Sequence, residues 1–137
     1  MSGLAGLDPG RSKCGLVLTD QSGQWVEQAL VLPPEHCRRQ LEQWQQDQAL
    51  GAVILGDGTG SRDWKHWLQR LELSVSVVPE AGSTLAARTR YWQLEPARGW
   101  RRLVPQGLRL PPRDYDDVVA QLLLERHLGR SLQRRGS

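Results

Sequence analysis

With 137 residues, 39% of them hydrophobic and 24% charged, the chain has the size and composition of one ordinary folded domain, too short for two cores and too apolar to stay disordered. No apolar run nears the roughly 18 residues of a membrane span, and no basic stretch followed by an apolar core opens the chain, so a cytoplasmic protein without membrane contact is expected. The net charge is only +3, yet all but two of the 18 basic residues are arginines, which favours a polyanionic partner over a generally charged, solvated surface.

Residues 3–8, 14–19 and 24–31 are apolar runs separated by Asp8-Pro9-Gly10 and Asp20-Gln21-Ser22-Gly23, turn sequences that predict three antiparallel strands. Pro33-Pro34 ends this meander. From Glu35 to Gln48, Cys37, Leu41 and Trp44 recur at helical spacing, and Gly51 to Leu55 then forms a continuous apolar run suited to a strand covered on both faces. Gly56 to Ser61 is a turn, and it lacks the Lys of a phosphate-binding P-loop, which argues against nucleotide hydrolysis. Trp64, Trp67, Leu68 and Leu71 mark the next helix, Leu73 to Val78 a fifth strand, and Leu85 to Leu94 a third helix.

The stretch 95–113, rich in Pro and Arg, predicts an exposed loop, and the last helix begins at Asp114 or Asp116 and ends near Leu128. The basic tail after 129 is expected to fray. The order β-β-β-α-β-α-β-α-α predicts a single α/β domain over 1–137, with a mixed five-stranded sheet and helices on both faces. Cys14 and Cys37 have no metal-ligand spacing and are expected as buried free thiols, and His36, His66 and His127 are too scattered for a metal site.

Asp8 closes the first apolar strand. Burying an isolated carboxylate costs several kcal/mol, so an acid in this position calls for a cation, a donor or open solvent in front of it, unless it merely caps the turn before Pro9. Asp57, Glu80 and the pair Asp116-Asp117 stand after the fourth strand, after the fifth, and at the start of the last helix. In an α/β sheet the carboxyl ends of parallel strands share one edge, where sites are normally built.

The sequence resembles the RuvC/YqgF branch of the ribonuclease-H-like superfamily, and more closely the YqgF (RuvX) proteins, described as Holliday junction resolvases and as nucleases maturing the 5′ end of small-subunit ribosomal RNA. Gly6-Leu7-Asp8-Pro9-Gly10-Arg11-Ser12-Lys13-Cys14-Gly15 is similar to their first-strand motif, and Val53-Ile54-Leu55-Gly56 to their Val-Gly motif, with Asp57-Gly58 in place of the usual Leu-Pro. Pro79-Glu80-Ala81-Gly82-Ser83-Thr84 is similar to their Asp-Glu-Arg-x-Ser-Thr segment, with Pro79 and Ala81 replacing the flanking Asp and Arg. Asp116-Asp117-Val118-Val119-Ala120 resembles their final acidic helix, although a RuvC-like Asp-x-x-Asp spacing would select Asp114 and Asp117.

The resemblance implies a ribonuclease-H-like fold and a metal-dependent endonuclease acting on branched DNA or precursor ribosomal RNA. Two Mg²⁺ (or Mn²⁺) ions would be held by Asp8, Glu80 and Asp116 or Asp117, hard oxygen ligands that need no His or Cys. The bland alternatives are a helix-start Glu80 and an N-cap at Asp116 or Asp117. Lys13, Arg88, Arg90, Arg98, Trp100, Arg101, Arg102, Arg109 and Arg113 are the expected nucleic-acid contacts. Tyr91, Trp92 and Trp100 are suited either to stacking on bases or to packing the loop. Junction cleavers usually act as two-fold homodimers, though no interface is legible here. The competing reading is a non-catalytic nucleic-acid-binding protein with the same fold.

Overall fold

A computed structural model describes residues 2–58, 60–95, 102–104 and 114–134. The elements run β1 (Gly3–Asp8), β2 (Cys14–Thr19), β3 (Trp25–Leu32), α1 (Pro34–Gln46), β4 (Leu50–Gly56), α2 (Ser61–Arg70), β5 (Ser74–Val78), α3 (Ser83–Leu94), α4 (Asp116–Leu128) and β6 (Gln133–Arg134). Each predicted strand and helix is present within a few residues of its expected bounds. The sheet has the order β5-β4-β1-β2-β3-β6. Strands β1, β2 and β3 form the antiparallel meander, while β4 pairs in parallel with both β1 and β5.

The sheet has six strands, not five. Leu132 is fully buried beneath β3, and the backbone of Gln133 donates to the Gln24 carbonyl at 3.1 Å, so the segment expected to fray adds a short parallel edge strand. An apolar anchor followed by two ladder residues offsets the ordering entropy that a solvated tail would keep.

Alternation along the central strands divides the core. Ala5, Leu7, Leu16, Leu18, Val53 and Leu55 face α1 and α2, where they meet Cys37, Leu41, Trp44, Trp64 and Leu68. Val17 and Ile54 point the other way, against Ala120 and Leu124 of α4 and Leu132. Helix α3 packs on α4 through Ala87, Tyr91, Trp92, Val118, Val119 and Leu123. Tyr91 and Trp92 therefore serve the core, 3% and 7% exposed, and are not available to stack on bases. Arg38 lies 4.7 Å from the Trp64 ring centre and ties α1 to α2 by a cation–π contact.

With helices on both faces, β2 is buried at every position from Cys14 to Thr19. Each fully buried Leu in such a sandwich contributes about 1.5–3 kcal/mol. Among the described residues no helix is long and apolar enough to cross a membrane.

Candidate active site

Strand parity aims the acids. Leu4 joins the core on the α4 face, and Asp8 has the same parity, so its carboxylate leaves the end of β1 toward α4. Its register partner is Gly15 on β2. A Cβ on Gly15 would overlap the main-chain carbonyl of Asp116, so the missing side chain is what lets the first turn of α4 settle beside Asp8. On the other side of β1, a Cβ on Gly56 would occupy the place of the Glu80 carboxyl. Glycine at the end of β4 thus admits Glu80 from the β5–α3 connection, whose backbone N–H donates to Asp57 Oδ1 at 3.0 Å.

The result is three acids on one face at the carboxyl ends of β1 and β5 and the start of α4. Asp8 is pushed up to about 8, first by burial, then by a hydrogen bond shared with Glu80, and further by the negative charges of Glu80, Asp116 and Cys14. Asp116 is also raised, chiefly by burial and partly relieved by Lys13. Among the described residues Glu80 Oε1 is buried with no hydrogen-bond partner beyond its contact with the Asp8 carboxyl. A buried carboxylate oxygen without a donor costs the desolvation of a charged group, and such an atom marks a place where a cation or proton belongs.

Asp117, the other acid of the expected pair, turns elsewhere. It is 2% exposed and ion-paired to Arg134 Nη1 at 3.1 Å, so its charge is spent within the fold and not beside Asp8. Neither Asp116 nor Asp117 caps α4: Tyr115 is the N-cap, and no side chain bonds there. Asp57 contributes by holding the Glu80 backbone, and Asp114 accepts a 2.7 Å ion pair from Lys13.

The expected basic contacts divide. Lys13 is half exposed and bonded to Asp114, which raises its affinity for the proton. Arg90 belongs to the interior: it reaches Glu125 through Nε at 3.2 Å and Nη2 at 2.9 Å, and also the Leu132 carbonyl at 2.9 Å, so it is corrected from a nucleic-acid contact to a brace for the C-terminal segment. Arg88 is half-buried, with Nε unbonded, and Arg102 is exposed. Arg98, Trp100, Arg101, Arg109 and Arg113, with most of the 95–113 loop and the end of the tail, lie outside the described residues.

Sequence reasoning missed Arg134. Its match to Asp117 spans 17 residues, and only the placement of β6 reveals it. The two cysteines are free and buried as expected. They hydrogen-bond to one another, which lowers Cys14 to about 7 against its burial and raises Cys37.

The donor set near Asp8 consists of carboxylate oxygens, the ligand class preferred by Mg²⁺ and Mn²⁺. Among the described residues no three His, Cys, Asp or Glu side chains are gathered tightly enough to cage an ion by themselves. Mg²⁺ is usually held by one or two carboxylates with waters and substrate phosphates completing its shell, and the adjoining Asp8 and Glu80 fit that demand, with Asp116 facing them.

Among solved structures, the chain is similar to T. thermophilus RuvC in complex with a Holliday junction substrate, with a TM-score of 0.50 and 16% identity over 94% of this chain and 97% of that chain. This likeness identifies the fold as ribonuclease-H-like. No protein-family model matches the chain. No curated protein matches it.

Proposed function

We propose that the protein is a metal-dependent endonuclease that cleaves phosphodiester bonds in structured nucleic acid, of the kind its sequence resembles in YqgF: a branched DNA or a folded ribosomal RNA precursor. The observation that carries this reading is the meeting of the Asp8 and Glu80 carboxyls at the strand ends, with no N–H donor among the described residues reaching Glu80 Oε1 and the Asp116 charge acting on Asp8. Burial and the negative charge beside it oppose ionisation of Asp8 unless positive charge joins it.

Asp8, Glu80 and Asp116 would hold divalent ions. Bound there, the ions would neutralise charge on the scissile phosphate and supply a nucleophilic water. The chain's own part is orientation. Gly15 and Gly56 clear the approach, the Asp57 carboxylate fixes the backbone of Glu80, and the Arg134–Asp117 pair anchors the start of α4, so that Asp116 is presented at a set height above β1. The neighbour's junction substrate favours structured nucleic acid as the ligand class, and the arginines of the 95–113 stretch, Arg102 among them, supply charge for its phosphates.

The competing reading, a binding protein that has lost catalysis, draws on the replacement of the Arg after the acid by Ala81. A cleavage panel of four-way DNA junction, flap and ribosomal RNA precursor, each with Mg²⁺, Mn²⁺ or EDTA, decides between the two. The nuclease reading expects divalent-dependent nicking of at least one substrate, lost in Asp8→Asn with binding retained. Tight binding without cleavage of any substrate by the wild type would leave only the binding protein.

A further inference from the structure

A groove of about 450 Å³ lies between α2 and the outer edge of β5, lined by Ser61, Arg62, Lys65, His66, Gln69 and Val77. No acid lines it. The spacing of Arg62, Lys65, His66 and Gln69 puts all four on one stripe of α2, opposite the buried Trp64 and Leu68, and all four are exposed. Asp63 and Arg70 flank the stripe on one side with opposite charges. Sequence periodicity accounts for the apolar face of this helix but leaves its polar face without a role.

Two features tie the groove to the carboxylates. Ser61 is the first residue of α2, reached directly from the loop that carries Asp57, and Val77 is the penultimate residue of β5. Asp57 in turn bonds the Val78 carbonyl through its N–H, at 3.0 Å, and the Glu80 N–H through its side chain. Ser61 and Val77 thus put one end of the groove at the carboxyl end of the sheet, where Glu80 also stands, although α2 covers the face opposite α4. From Arg62 to Gln69 the stripe runs about 10 Å along the helix axis at 1.5 Å per residue, the axial length of about three phosphates on one strand of a duplex.

We propose that the groove between α2 and the β5 edge binds the phosphate backbone of a nucleic-acid arm leading to the carboxylate site, with Arg62 and Lys65 as the charged contacts and His66 and Gln69 as donors beside them. The occupant follows from the chemistry of the lining: two fixed cations, two further donors and no competing carboxylate suit successive phosphates. Val77, 43% exposed on the groove wall, offers an apolar contact for a sugar face. Among the described residues β5 is the end strand of the sheet, so no described strand stands between this wall and a ligand. The inference rests on the nucleic-acid reading above and extends it to a surface outside the arginine-rich stretch.

The test is a salt titration of binding to a fluorescently labelled four-way DNA junction and to a labelled RNA hairpin, in EDTA to prevent cleavage. Arg62→Ala/Lys65→Ala should raise Kd at least about tenfold at 0.1 M salt on the preferred ligand, and should flatten the slope of log K against log salt by about 1.8, as expected for two lost phosphate contacts. Arg39→Ala/Arg126→Ala removes the same charge from exposed positions outside the groove and should stay within about twofold of wild type. Arg62→Lys/Lys65→Arg, which keeps the charge, should restore both affinity and slope. Unchanged binding by the groove variant, or equal losses in groove and control variants, overturns the groove while the nuclease reading stands. A wild type that binds neither ligand overturns both.

Discussion

Helix α4 presents two sets of acids, and they differ in what faces them. Along its inner side, Asp117 and Glu125 are buried and each meets a guanidinium: Arg134 at 3.1 Å and Arg90 at 2.9 Å. At its first residue, Asp116 lies close enough for its charge to act on Asp8, which meets Glu80, and among the described residues no basic side chain is in ion-pair contact with any of these three. Lys13, whose charge acts on Asp116, bonds to Asp114 instead. Helix α4 thus carries carboxylates paired to guanidinium groups, which hold the fold, and one at its first residue, Asp116, whose ionisation is opposed chiefly by burial. Burial alone does not separate structural from functional acids; the presence of an internal counter-charge does.

The sharpest way to break the contrast is to remove charge from the crowded set. Asp8→Asn should lower divalent-dependent cleavage by at least about a thousandfold while leaving affinity for the same substrate within about twofold. Single-turnover assays beside binding titrations in EDTA measure both. Retention of cleavage would take Asp8 out of the chemistry.

The neutralised set should respond in stability instead. Arg90→Met leaves Glu125 buried without its guanidinium and should cost about 3–5 kcal/mol in urea unfolding, the range for breaking a buried pair. Adding Glu125→Gln should recover part of that loss, because the stranded charge is gone. If the two changes are simply additive, the pair is not a unit.

Asp8 should also reveal itself through pH. Its carboxyl ionises at about 8 in the fold against 3.8 as an unperturbed group, so between those values the folded state holds a proton that the unfolded state has released. Folding stability from this group is therefore intact below about pH 4 and declines as pH rises toward 8. Without divalent ions, Asp8→Asn should match wild type near pH 4 and exceed it by about 1–3 kcal/mol at pH 8, as read from unfolding midpoints. An excess that fails to grow with pH would place the cost of Asp8 elsewhere.

The smallest expected effect compares the two neighbours on α4 directly. At tenfold excess over its Kd, Mg²⁺ or Mn²⁺ should stabilise the wild type by about 1.4 kcal/mol, a rise of a few degrees in Tm. Asp116→Asn should diminish that increment. In Asp117→Asn, less stable though it would be, the increment should persist. Equal loss in both variants would erase the distinction drawn between them.

Much of this could be read before any coordinates. The meander, the buried fourth strand and the tryptophan-marked helices follow from periodicity and turn residues, which are local properties of the chain. Asp8 and Glu80 were singled out because each closes or follows an apolar strand, and the structure brings their carboxyls together. Choosing between Asp116 and Asp117 was beyond local reasoning: consecutive residues on a helix point about 100° apart, and the side facing the sheet end is set by how α4 crosses β1 and β2. Arg90 was misjudged for a similar reason. An arginine beside Tyr91 and Trp92 in a basic stretch reads as a nucleic-acid contact until Glu125, 35 residues later, is found against it.

What the chain alone determined is the succession of elements and the positions of its carboxylates at strand ends, since both depend on neighbours a few residues away. The tertiary structure decided which acids meet a guanidinium and which do not, that the C-terminal segment joins the sheet, and that one basic stripe of α2 borders a groove against β5. These depend on packing between distant segments, where a side chain's charge is balanced or left bare by partners that local sequence cannot name.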